Sequence, residues 1–248
     1  MELSYKIKKI LSGDAYTSAR RHVRQWLMGR APLRLDAARI TATIDRQKFQ
    51  DIYDRYAMEN PGDEWPKYLE IQPWMEINLK RVRDLELDLG GRKRVLDIGC
   101  GTGYFLYICK YLGHDVLGMD LDETPGFTEM IDLLGVRRVI CRIEAYQPLP
   151  NLGQKFDVIT AHMICFNGHK SDKLWKISEW EYFLDDLAAN QLELGGQVGL
   201  ELNREYDDSL YTPELKAYFE SRGADIHTQR VHFNPLRPAP AAVATAAR

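Results

Sequence analysis

The stretch that most constrains the fold is Val95-Leu96-Asp97-Ile98-Gly99-Cys100-Gly101-Thr102-Gly103. A short apolar run of this kind reads as a buried strand, and here it enters three glycines at alternate positions. Glycine lets the backbone turn sharply and lie against a ligand with no side chain in between. Phe105, Ile108, Cys109 and Leu112 follow at i, i+3, i+4 and i+7, so a helix begins at once and turns its unpaired N–H groups toward the loop. Gly113 stands where that helix should stop. Asp115-Val116-Leu117-Gly118-Met119-Asp120 is a second apolar run, tipped by a carboxylate. Strand, glycine loop, helix and acid-tipped strand together form half of a nucleotide-type binding site.

The same alternation continues along the chain. Thr124-Pro125 predicts the start of a helix carrying Phe127, Met130, Ile131 and Leu134, and Gly135 ends it. Arg138 to Cys141 reads as a third strand, Phe156 to Ala161 as a fourth and Gln197 to Leu202 as a fifth. Ser178 and Glu181 have the spacing of a capping box for the helix between the last two. Thr212-Pro213 opens a final helix, and Ile226 to Phe233 supplies one or two more strands. Before the glycine loop, the pattern predicts a helix over Ile40 to Tyr56, a turn at Asn60-Pro61-Gly62-Asp63, and a helix from Trp74 to Leu87. The expected organisation is a basic arm over 1–38, a helical extension or lid over 39–91, a binding domain over 92–233 and a disordered Pro/Ala-rich tail over 234–248.

At this point the chain resembles the class I S-adenosylmethionine (SAM) dependent methyltransferases. The likeness rests on Leu96 to Gly103 and, seventeen positions later, on Asp120. Phe156 to Ala161 and the Leu194-Gly195-Gly196 turn before the fifth strand agree with it. The resemblance implies an α/β, Rossmann-like fold: a mostly parallel sheet of six to seven strands, helices on both faces, and the N-terminal extension beside the acceptor pocket. The rival dinucleotide loop needs a small residue where this chain has Tyr104, which would crowd helix against strand.

The resemblance also assigns roles. Gly99, Cys100, Gly101 and Gly103 would lie along the donor, and Asp120 would accept from both ribose hydroxyls. Leu121 and Ile143 would sandwich the adenine, and Glu144 would accept from its amine. Asp97 and the backbone around Ala161 would receive the amino-acid tail. Tyr56, Trp65, Tyr68 and Trp74 are candidates for a lid, with Tyr68, Tyr104 and Asn167 candidates for orienting an acceptor. His162 and His169 follow the fourth strand and are the candidate general bases, since imidazole titrates near neutral pH. No Asn-Pro-Pro-aromatic sequence follows that strand, and no second acid clusters there. The expected reaction is therefore a metal-independent transfer to a hydroxyl of a small molecule or sugar. The alternatives are a nucleic-acid methyltransferase and a SAM-binding protein without activity.

Composition adds a partner question. Residues 1–50 carry eleven Lys/Arg against four Asp/Glu, leaving 22 of the 33 basic and 32 of the 36 acidic residues to the remainder. Such an arm suits an anionic membrane surface, a nucleic acid, or the acidic body of its own protein. Four cysteines without C-x-x-C spacing predict reduced thiols rather than zinc or disulfides. With no apolar leader and no run long enough to span a bilayer, the expected location is cytoplasmic, with a membrane-peripheral alternative.

Overall fold

The computed structural model describes residues 35–58 and 65–239, together with Ala19 and Val23. Most of the basic arm, the turn at 60–63, the Trp65 side chain and the last nine residues lie outside that description. The chain divides into two compact units, Met1–Cys141 and Arg142–Arg248.

The first unit begins with helices α1 (Ala37–Thr41) and α2 (Arg46–Tyr53), a π-helical turn (Asp54–Met58), a 3-10 turn (Trp65–Leu69) and α3 (Ile71–Asp84). The helix predicted over Ile40 to Tyr56 is thus split. Asp45 breaks it by capping α2, its carboxylate accepting from the N–H groups of Gln47 and Lys48. Helix α3 starts three residues earlier than the pattern predicts, because Pro73 falls in its first turn, where a missing N–H costs nothing. Met75, Leu79 and Val82 bury its inner face.

Then come β1 (Arg94–Ile98), α4 (Tyr104–Tyr111), β2 (Asp115–Asp120), α5 (Pro125–Leu134) and β3 (Arg138–Ile140). The strands lie in the order β3-β2-β1, all parallel, with Ile98 beside Met119 and Asp120 beside Ile140. Val95, Leu96 and Ile98 are buried, as a strand covered on both faces requires. Thr124 precedes α5 as predicted, yet its side chain makes no capping bond.

The second unit holds β4 (Phe156–Ile164), α6 (Ile177–Asp186), a π-helical turn (Leu187–Gln191), β5 (Leu192–Leu202), α7 (Pro213–Ser221), β6 (Ala224–His227) and β7 (Arg230–Phe233). Strands β4 and β5 are parallel, while β7 runs antiparallel to both β5 and β6. Trp180, Phe219 and Phe233 form an edge-to-face stack in the core. The cap of α6 is not the predicted Ser178–Glu181 pair. The Lys176 N–H donates to Glu179 at 2.9 Å, two residues earlier. Residues 234–239 are not a free tail either. The buried Arg222 donates from Nε to the Arg237 carbonyl at 2.7 Å, and Arg237 N–H returns a bond to the Arg222 carbonyl at 2.9 Å.

The fold class is a seven-stranded, mostly parallel mixed sheet with helices, within the range the sequence predicts. No described helix is long and apolar enough to cross a membrane.

Candidate active site

In the first unit the chain leaves β1 through Gly99, Gly101 and Gly103, with φ of 73°, 53° and 81°. The N–H groups of Gly99 and Cys100 both donate to the Met119 carbonyl, at 2.7 and 3.2 Å, which stitches the loop to the end of β2. Asp120 completes the join. Its Oδ2 accepts from Gly101 N–H at 2.6 Å and its Oδ1 from Leu121 N–H at 2.7 Å.

The three glycines serve different ends. A Cβ on Gly103 would sit 2.6 Å from Ile131 Cδ1, so that glycine exists to let α5 pack against the loop. A Cβ on Gly99 would meet nothing within 4 Å, so the backbone there borders open space. At Gly101 the nearest atom is Phe127 Cε2, at 3.9 Å. An exposed bend beside a carboxylate that still has free lone pairs fits an adenosine-bearing ligand. Sequence reading missed Gly118, whose absent Cβ makes room for Cys100 Sγ, 2.6 Å from where it would stand. A glycine inside a strand was the available signal. Burial, then the nearby carboxylates Asp97 and Asp120, push the Cys100 thiol well up, so Cys100 offers a ligand its backbone and not a thiolate.

Asp97 is buried in β1, and Leu121 is half-buried just past β2. Tyr104 departs from expectation. Its hydroxyl is sealed from solvent without a hydrogen-bond partner, and burial pushes its pKa up. The phenol packs inside the unit and has no open face for an acceptor. Tyr68 packs between two other aromatic rings. Its ring lies 5.5 Å from Phe127, edge-on, and 4.7 Å from Trp74. Phe127 Cε2 in turn is the atom nearest to a Cβ placed on Gly101, at 3.9 Å. Tyr56 hydroxyl and Arg55 Nη1 both donate to Glu129 on α5 at 2.6 Å, fastening the extension to the same helix.

In the second unit, Ile143 is half-buried and Glu144 exposed, both on an irregular loop. Ala161 is fully buried, so only its backbone can meet a ligand. Strand β4 runs on through His162 and Met163, where the pairing with β5 shifts register. Met163 takes φ 57°, a strained value for a side chain of its size. His162 Nδ1 lies 3.7 Å from Glu201 Oε2, and both side chains are buried. His169 is better held: Nδ1 is 3.0 Å from Glu205 Oε1, while Glu205 Oε2 accepts from Lys170 N–H at 2.7 Å. Sequence reading missed Glu205, which lies 36 residues from its partner. The side-chain oxygen of Asn167 is sealed without a hydrogen-bond partner, and its carbonyl accepts from Trp175 N–H at 2.7 Å.

Comparison with known proteins agrees with this geometry. Residues 68–167 match a family model described as a methyltransferase domain. The chain is 32% identical over 103 residues to a ubiquinone biosynthesis O-methyltransferase of Acinetobacter baylyi, covering 39% of this chain and 42% of that one. Its counterpart in Pseudomonas putida is 34% identical over 100 residues, 39% of this chain and 43% of the relative. The chain thus spans about two fifths of the length of the curated relatives it matches. Among solved structures, a SAM-bound amino pentose methyltransferase from Micromonospora echinaspora is similar at 24% identity, over 64% of this chain and 57% of that one, with a TM-score of 0.38. Glycine loop and acid-tipped second strand both fall inside the matched stretch, so residues 68–167 are similar to a methyltransferase domain.

Proposed function

We propose that the protein transfers a methyl group from SAM to a hydroxyl of a small molecule or sugar, without a metal. The observation that carries this reading is the joint between Gly101 and Asp120, 2.6 Å long, beside the open backbone of Gly99. It would offer a carboxylate to a ribose diol and the bare backbone of Gly99 to the rest of the donor. When bound, SAM supplies a sulfonium-borne methyl that can be displaced in line.

The chain's own part is to bind, orient and accept a proton. His169 is the better base. With Nδ1–H donated to Glu205, the ring is held in one tautomer and Nε2 is left as the proton acceptor. Both nitrogens of His162 are sealed from solvent, which argues for an internal role there. For a hydroxyl acceptor, His169 Nε2 would be the atom that takes the proton released by methyl transfer. The relatives' own names support oxygen as the accepting atom.

The test has two stages. Calorimetry with SAM and S-adenosylhomocysteine (SAH) should show binding, and a panel of phenols, catechols and sugars should then yield a methylated product by mass spectrometry. No heat and no thermal shift at millimolar donor would reject the reading. Donor binding with no methylated product across the panel would favour the non-catalytic alternative.

A further inference from the structure

Arg138 opens the edge strand β3, and its side chain is only 7% exposed. A buried guanidinium at an edge is an expensive way to fill space, since an apolar side chain would pack there without a desolvation penalty. What the arginine does is visible in its bonds. Nη1 donates to the Leu121 carbonyl at 3.3 Å, and Nη2 donates to Asp122 Oδ1 at 2.7 Å and to Thr128 Oγ1 at 2.8 Å. Thr128 hydroxyl donates to the same Asp122 oxygen at 2.6 Å, closing a triangle between the loop after β2 and the first turns of α5. That hydroxyl first, and Arg138 next, hold the Asp122 carboxyl below its usual range.

The Leu121 residue is therefore gripped from both sides. Its N–H is held by Asp120 and its carbonyl by Arg138. We propose that Arg138 is a positioning residue for the adenosine half of the donor: it fixes the loop so that the Asp120 carboxylate and the Leu121 side chain stand where ribose and adenine are received. The inference rests on the SAM reading above and deepens it.

The experiment measures SAH and free adenosine binding by calorimetry in the wild type, Arg138→Gln, Asp120→Asn and the double variant, with steady-state kinetics alongside. Arg138→Gln should weaken SAH and adenosine by the same factor, about tenfold for lost charge-assisted bonds. KM for SAM should rise by that factor, with a much smaller change in kcat. The two substitutions should be non-additive by about threefold or more, because both act on one peptide. Should Arg138→Gln fail to fold, Arg138→Lys, which can keep the Asp122 pair while losing the fork, should show an intermediate loss. Unchanged affinity, strict additivity with Asp120→Asn, or a fall in kcat and melting temperature with KM unmoved would each overturn the role. A wild type that binds neither SAH nor adenosine would instead overturn the donor reading, and this inference with it.

Discussion

Asp120 clamps the glycine loop and, in the proposed function, also receives the donor ribose; replacing it should separate the two. Both its oxygens are engaged, by Gly101 N–H at 2.6 Å and Leu121 N–H at 2.7 Å. Hydrogen bonds to a charged group contribute about 1.5–3 kcal/mol each. Their sum overstates the loss in Asp120→Ala, since the residue is half-buried and water can reach part of the freed backbone. A destabilisation of about 1–3 kcal/mol is expected, read as a lower urea midpoint at constant slope. Donor binding should weaken by a further 1–3 kcal/mol or so, about 5- to 150-fold in Kd, because the ribose hydroxyls lose a charged acceptor. Asp120→Asn should recover part of the stability, through one remaining oxygen, and little of the affinity. A loss of stability with undiminished SAH affinity would show that the acid only clamps the loop. If neither quantity moves, the joint described above does not govern the site.

His169→Ala should lower kcat by about 10²–10⁴-fold while leaving SAH affinity intact, and Glu205→Gln should fall between it and the wild type; full activity in both would remove the histidine from the chemistry. Gly103→Ala forces a methyl to within 2.6 Å of Ile131 at φ 81° and should cost about 2–3 kcal/mol in denaturant unfolding. Gly99→Ala meets no atom and should cost only about 1–2 kcal/mol of backbone strain, yet weaken the donor more than Gly103→Ala does per unit of lost stability; the reverse order in calorimetry would refute the division of labour among the glycines. Tyr104→Phe removes a sealed hydroxyl without a partner and should stabilise the protein by about 1 kcal/mol; a lower melting temperature would mean that the hydroxyl is engaged.

The elements legible in the sequence are those written in local pattern. Alternating glycines, the i, i+3, i+4, i+7 stripe after them and the acid ending the next apolar run place β1, α4 and β2 with no help from distant residues. What was illegible depends on partners far along the chain. The seal over Tyr104 is set by packing that spacing does not encode. Arg138 reads as one more basic residue until its loop acceptors are seen, and Glu205 becomes interesting only beside His169. The order in 234–239 comes from Arg222, since Pro/Ala-rich composition measures how little a segment can bury by itself and not what another segment may grip. Even the misplaced cap of α6 has this character: Ser178 and Glu181 have the right spacing, but Glu179 reaches the Lys176 N–H first.

The grip on Glu129 has a structural corollary. Two donors from the extension converge on that single carboxylate, and Tyr68 abuts the Phe127 ring near Gly101. A fragment starting at β1 would leave the acid without either donor and one side of Phe127 bare. The segment ahead of the core is therefore not an interchangeable cap. Any replacement for it would have to supply afresh both a cationic clasp for Glu129 and a flat ring against Phe127.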